Sequence, residues 1–493
     1  MIEGIFKKGN DLILRYNKQG ASYFKKIKAT YPVYISDRNG DYRYIFRDVP
    51  MTKRVYNNKK DLKETLQIAE LSNQLVEAYD PEIELRYPLW KKFQNTRPNS
   101  LIWFLDIEVI DLNNRKFPQP YLADAPITHI QIADNFTDKV VLLMTKAPSD
   151  EFYKKWKDNT EIIVYNSEEE LLEGFIKKLK SDNPTIITAW NGENFDFPYI
   201  TFRAKKLGIN INKFSPLNEA KVDYDPDNKI YTTRWNGLYL LDALQVYKKF
   251  TYSEQKSYSL EYIAKIELGE GEGKVDYGEY QNIFNFFEQN YDKFCEYARK
   301  DPIVLKNIIE KTDLFNILID MANVMGLNYD RALGTVGPWS RNLLLLLLDE
   351  NVIVPTKPSG EKSAPIKGGF VKDPIKGKHE WICSIDFNSL YPSIMLSFNL
   401  SPETYVPYED LPQEAREILD YMADEDETKL FDPEFRQKIK AVTQKHNLIF
   451  AGLGFFRKDR QGIIPRTIEG IYYNRKKQKN KALLAKAILA KYS

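Results

Sequence analysis

Cysteine and histidine are scarce in these 493 residues: two cysteines, Cys295 and Cys383, and three histidines. Two thiols cannot build a disulfide framework, and nothing around them has the spacing of a zinc site. Long apolar runs are also missing. The longest, Leu343 to Leu348, lies between Arg341 and Asp349 and reads as buried helix, far short of a bilayer span. Met1-Ile2-Glu3-Gly4 lacks the basic-then-apolar plan of a signal peptide. The expectation is a cytoplasmic, reducing setting without a membrane. No sign of charge dominates either, since the net charge is +2, so the total points to no partner.

Distribution says more than the total. From Arg475 to Lys491 there are seven basic residues and no acidic one. Such a strip beside acidic sites fits a DNA-handling enzyme. On charge alone, a solvated Lys-rich helix face is the better reading. With 43% hydrophobic residues the chain is globular, and its length predicts three or four domains.

Residues 1–100 are rich in Tyr, Lys and β-branched residues, with strand-like runs such as Tyr31-Pro32-Val33-Tyr34-Ile35. Asn39-Gly40 before Tyr42-Arg43-Tyr44-Ile45-Phe46 predicts a hairpin. From residue 101 to about 315, strand-like and helical stretches alternate, as in an α/β domain. Val140 to Met144 and Thr185 to Ala189 read as strands, and Glu168 to Leu179 as helix. Asp225-Pro226-Asp227-Asn228 between two β-branched runs predicts a second hairpin. Residues 302–350 read as mainly helical. A strand is expected from Trp381 to Ile385, and a helix from about Thr467 with an apolar stripe at Leu483, Leu484, Ala487 and Ile488.

Asp106 and Glu108 follow the apolar run Ser100 to Leu105 and, two apart on a strand, share one face. Paired acids at a strand end suit a hard cation such as Mg²⁺. A lone Asp-x-Glu is far more often an exposed polar strand end. The signal sharpens with Asn191-Gly192-Glu193-Asn194-Phe195-Asp196 after a strand, then with Tyr297 and Asp301 one helical turn apart. Taken singly, Asp196 reads as a helix cap and the Tyr297/Asp301 pair as surface. No histidine lies near these motifs in the sequence.

This ordered set resembles the three segments of the 3′–5′ proofreading exonuclease of family B DNA polymerases. The resemblance implies an RNase H-like fold, with Asp106, Glu108, Asp196 and Asp301 holding two Mg²⁺ ions and Mn²⁺ able to substitute. It also implies that Tyr297 orients the attacking water. Two such ions about 3.5–4 Å apart clamp the scissile phosphate, activate water and stabilise the departing 3′ oxygen. Phe195 becomes a wedge against a frayed terminal base, with core packing an equal alternative. The hairpin around Asp225 to Asn228 is similar to the family's strand-separating hairpin.

Residues 386–394, Asp-Phe-Asn-Ser-Leu-Tyr-Pro-Ser-Ile, resemble the first metal-binding segment of the family's polymerase palm. By that resemblance Asp386 is a metal ligand, and the Phe387 carbonyl, Leu390 and Tyr391 meet the incoming nucleotide. A ring beneath the sugar excludes a 2′-hydroxyl. Gly368 and Gly369 match a segment where backbone approaches the template. Arg475 and Lys479 match the cations of the first fingers helix that face the triphosphate.

The chain lacks an Asp-Thr-Asp turn for the second carboxylate, and the second fingers helix and thumb. The expected fold is therefore multidomain, α/β and α+β. A β-rich domain at 1–100, completed by about 316–356, precedes an exonuclease at 101–315, a partial palm at 357–460 and the start of the fingers at 461–493. The resemblance is nearest to replicative polymerases of tailed bacteriophages, which would place the protein in the host cytosol. Expected partners are primer-template DNA, single-stranded 3′ ends, a deoxynucleoside triphosphate once the site is completed, and a second polypeptide with the remaining palm and thumb. The sliding clamp would be reached through that polypeptide. An artificial truncation, a stand-alone exonuclease and a non-catalytic nucleic-acid-binding protein remain the alternatives.

Overall fold

The computed structural model describes residues 1–110, 118–251, 253–269, 278–280, 282–356, 373–387, 389–423, 427–452 and 454–492. The chain folds as two units, Met1–Ile35 with Thr52–Glu350, and Ser36–Met51 with Asn351–Ser493. Among the described residues no helix is long and apolar enough to cross a membrane.

At the centre of the first unit is a six-stranded mixed sheet. Its order is Thr160–Val164, Val140–Met144, Ile127–Asp134, Ile102–Val109, Ile186–Ala189, Tyr239–Asp242. The three middle neighbours, Val140–Met144, Ile127–Asp134 and Ile102–Val109, pair antiparallel, and the outer pairings are parallel. Side chains alternate across this sheet, so each strand feeds two cores. Trp103 and Leu105 join Leu171, Phe175 and Tyr199 on one face. Ile102 and Phe104 join Leu305, Ile308 and Cys295 on the other, under the helix Tyr291–Thr312. Asp106 and Glu108 continue the second set, which fixes the face on which they emerge.

Local signals account for the helix ends. The Ser167 hydroxyl accepts from the Glu170 N–H at 3.2 Å, while the Glu170 carboxylate accepts from the Asn166 N–H at 3.1 Å. This exchange starts Glu168–Asp182. Asn183 then stops it in the left-handed conformation, φ 49°.

Ile2–Lys8, Asp11–Lys18 and Ala21–Lys28 form an antiparallel meander in this unit. A fully buried ion pair ties it to the central sheet, with Arg15 Nε 3.2 Å from Glu3 Oε2. Arg15 also donates to the Gly237 carbonyl at 2.8 Å, the Asn183 carbonyl at 2.7 Å and Thr185 Oγ1 at 3.1 Å. Glu3 accepts in addition from Ser22, Ser100 and Thr185. Burial lowers the Arg15 pKa, and Glu3 opposes that shift. Nearly every polar atom of the pair is therefore satisfied, which a buried charge requires.

In the second unit, Asn39-Gly40 does not form the expected hairpin. Tyr42–Tyr44 pairs instead with Pro50 and Met51, and in parallel with Val352-Ile353. Gly40 admits the Met51 backbone, which would lie 2.2 Å from a Cβ at that position. Farther on, Leu448–Phe450 and Phe455–Arg457 form a hairpin joined by Tyr405-Val406. Helices Gln413–Tyr421 and Pro433–His446 supply Ala415, Ile418, Phe435 and Val442 to its core.

Two expectations need correction here. No strand forms from Trp381 to Ile385, where Trp381 is 100% exposed and Ile385 81%. A strand needs a hydrogen-bonded neighbour, and none among the described residues takes that place. The last helix begins at Ile463, not Thr467, because Glu403 and Ser401 accept from the Ile463 and Ile464 N–H groups. Its stripe at Leu483, Leu484, Ala487 and Ile488 is exposed.

Arg15→Met leaves Glu3 buried without its cation. Urea unfolding is expected to show a loss of about 3–5 kcal/mol, partly regained when Glu3→Gln is added.

Candidate metal centre and polymerase segment

Asp106, Glu108 and Asp301 each place one carboxylate oxygen within 4.8 Å of the others. Two come from neighbouring same-face positions of Ile102–Val109, and the third from the helix Tyr291–Thr312 laid over that face. Asp106 is half-buried, whereas Glu108 and Asp301 are buried. The carboxylates meet a neutral donor from the adjacent strand. Gln131 Nε2 lies 3.1 Å from Asp106 Oδ2 and 3.2 Å from Glu108 Oε1.

Asp196 borders this group without joining the set within 4.8 Å. It is the first residue of Asp196–Lys206 and 3% exposed, not the cap, a position held by Phe195. Burial, and next the charge of Asp106, raise its pKa well above the usual carboxylate range, while the Ile107 N–H opposes the shift. Its Oδ1 has no hydrogen-bond partner among the described residues. An unpartnered buried carboxylate oxygen, beside three more carboxylates, fits a hard divalent cation such as Mg²⁺ or Mn²⁺. Asp106, Glu108, Asp301 and Asp196 are the residues that would hold it.

Tyr297 stands one turn before Asp301, its ring packed on Phe286 and Phe294. Phe195 is half-buried, 5.4 Å from the Tyr199 ring. The second hairpin forms from Ala220–Asp225 and Ile230–Trp235, and Asp225 accepts from the Asp227 and Asn228 N–H groups in its turn. Tyr224 stacks between Tyr121 and Tyr231, with both centroid separations 4.6 Å.

In the fold a histidine lies beside the motifs. His129 pairs across the strands with Glu108. It is fully buried, bonds Tyr291 and Thr128 through its ring nitrogens, and has its pKa pushed down to about 3 by burial. A ring so held stays neutral and enclosed. Linear distance hid it, because register alone brings residues 108 and 129 together.

Asp386 lies in the exposed segment before Leu390–Ser397. Phe387 is 70% and Tyr391 76% exposed, with Leu390 also exposed. Arg475 and Lys479 are exposed and one turn apart on Ile463–Tyr492. Among the described residues no hydrogen bond or ion pair joins Arg475 or Lys479 to Asp386. Gly368 and Gly369 lie outside the described residues.

The family model "DNA polymerase family B, exonuclease domain" matches residues 48–263, and "DNA polymerase family B" matches 339–487. Between them they take in most of the chain. It belongs to DNA polymerase family B. The first match contains Asp106, Glu108 and Asp196 but stops before Asp301, which only the folded arrangement brings to the others. The chain is 26% identical to the DNA-directed DNA polymerase of Escherichia phage RB69, over 77% of this chain and 42% of that protein. It is 29% identical to DNA polymerase 1 of Sulfolobus acidocaldarius, over 68% and 37%. The chain thus spans less than half the length of these relatives.

Two more residues of this family B chain escaped the sequence reading. Gln131 interrupts the apolar run Ile130 to Ile132, a signal only once register is known. Asp242 ends the strand Tyr239–Asp242 and is fully buried. It accepts from the N–H groups of Asn191 (3.1 Å), Glu193 (3.4 Å) and Leu244 (2.9 Å), pinning the turn that leads to Asp196. Burial raises its pKa, and those N–H groups oppose the shift. In the same turn Gly192 is required, since a Cβ there would lie 2.7 Å from Ala189 Cβ and 2.8 Å from the Phe197 ring.

Asp242→Ala strips three N–H groups of their acceptor. It is expected to lower stability by about 1–3 kcal/mol and to speed hydrogen exchange in the 189–195 segment, read by mass spectrometry.

Proposed function

We propose that this chain hydrolyses nucleotides from DNA 3′ ends as the proofreading part of a family B DNA polymerase. The observation that carries the reading is the approach of Asp106, Glu108 and Asp301 to within 4.8 Å, in a chain matched by the family's exonuclease domain. Asp196 completes the acidic set, and Tyr297 is the group assigned to orient the water. Bound divalent ions would supply the Lewis acidity that activates water and stabilises the leaving oxygen. The chain's own part is to fix the carboxylates at the seam of strand and helix, with Glu108 and Asp301 buried and Asp106 half-buried.

Nucleotide transfer is the activity of the whole enzyme, to which Asp386, Phe387, Leu390, Tyr391, Arg475 and Lys479 would contribute. A single carboxylate cannot position two ions, and these 493 residues contain no Asp-Thr-Asp turn. The exposed apolar run Trp381, Ile382, Ile385 and Phe387 supports a palm strand that pairs with further polypeptide. We place the second carboxylate, the thumb and the clamp contact there. Substrates would then be primer-template DNA and deoxynucleoside triphosphates.

Purified protein with Mg²⁺ is expected to shorten 5′-labelled single-stranded DNA from its 3′ end. EDTA should stop the reaction, Mn²⁺ should restore it, and Asp106→Ala with Glu108→Ala should reduce it to background. Intact DNA under these conditions would leave only a binding role.

In primer-extension assays the 493 residues alone should add no nucleotide, whereas a polypeptide supplying the second carboxylate and thumb restores synthesis. Extension by the chain alone would defeat the assignment of an incomplete palm.

A further inference from the structure

Gln131 is fully buried in the strand Ile127–Asp134, directly opposite Asp106, while Glu108 faces His129 two pairs along. Residues opposite one another in an antiparallel pair share a face, so Gln131 rises among the carboxylates. A side-chain amide nitrogen carries two hydrogens. Here one is directed to Asp106 Oδ2 at 3.1 Å and the other to Glu108 Oε1 at 3.2 Å. Two acceptor carboxylates fix the orientation of the amide, because the opposite flip would set oxygen against oxygen.

We propose that Gln131 is a positioning residue for the metal-binding carboxylates, clamping Asp106 and Glu108 through one nitrogen so that the pair is preset for divalent ions. This rests on the nuclease reading above. Two features of the site support it. The clamp is neutral, so it restrains the pair without the charge of a Lys or Arg, which would compete with an ion. Its own Oε1 is buried without a hydrogen-bond partner among the described residues, a defect that folded cores ordinarily avoid. An apolar side chain would fill the space without that defect, so packing alone does not account for an amide.

The test uses Gln131→Met, close in length but without a donor, in the full chain. Outer partners of metal ligands typically set affinity by about 10–100-fold. Mn²⁺ binding, read from the free-ion EPR signal, is expected to weaken by about tenfold or more. The Mg²⁺ concentration for half-maximal DNA shortening should rise in parallel, while the rate at saturating Mg²⁺ largely recovers. Unchanged Mn²⁺ affinity and an unchanged Mg²⁺ midpoint would overturn the proposal.

Gln131→Glu keeps the shape and replaces the donor with a further carboxylate. Its metal-free melting temperature should fall, and its rise on adding Mn²⁺ should exceed that of the wild type. An equal loss with and without Mn²⁺ would mark Gln131 as mere packing. A wild-type protein that neither binds Mn²⁺ nor shortens DNA would instead defeat the nuclease reading, and the proposal with it.

Discussion

Repulsion among carboxylates is the constraint around which the first unit is organised. Two full charges 4.8 Å apart, at an effective dielectric of about 20, repel by about 3–4 kcal/mol. Three mutual pairs at or below that separation approach the entire stability of an ordinary domain, about 5–15 kcal/mol. The cluster therefore persists only where stiff elements hold it and neutral or positive partners relieve it. The stiffness comes from the middle of a six-stranded sheet and from a long helix, Tyr291–Thr312. Relief comes in part from the Gln131 amide, and at Asp196 from the Ile107 N–H and a raised pKa.

The same constraint explains why the acids are divided among separate elements. Asp106 and Glu108 could share a strand because alternation sets them on one side with an apolar residue, Ile107, turned into the opposite core. Asp196 begins a helix, where the N-terminal end favours negative charge. Its placement depends on the Asn191–Glu193 turn, which has no regular structure to hold it. Asp242 serves that purpose from the neighbouring strand by collecting the turn's N–H groups. A buried carboxylate with no proposed ligand role thus stabilises the approach to one that has such a role.

Periodicity made much of this unit legible. Val140–Met144 forms over the run read as strand, and Glu168–Asp182 contains the expected helix. Asp106 and Glu108 share a face because two-residue spacing has that meaning on any strand. What stayed hidden depends on pairing between distant segments. Gln131 and His129 enter the site through register, and the sequence carries no local mark of which residue opposes Asp106 or Glu108. The Asn39-Gly40 reading failed for a related reason. Gly40 serves a close approach of the Met51 backbone, not a hairpin turn between its immediate neighbours.

The polymerase segment shows the converse case, a strong motif without its expected local structure. Asp386 and its neighbours carry strand-like residues, yet Trp381 to Phe387 stay exposed and unpaired in any sheet among the described residues. The Asn399 region, by contrast, is closed by its own hydrogen bonds. Asn399 donates to the Arg457 and Arg460 carbonyls and accepts from the Gly462 N–H. Gly462 is itself required, since a Cβ there would lie 2.5 Å from Ser401 Cβ. Propensity prepares a segment for a sheet, but the ladder of hydrogen bonds that would hold it belongs to two strands. The regular structure of the Asp386 segment is thus a property of a pairing, whereas the Asn399 turn closes on its own neighbours.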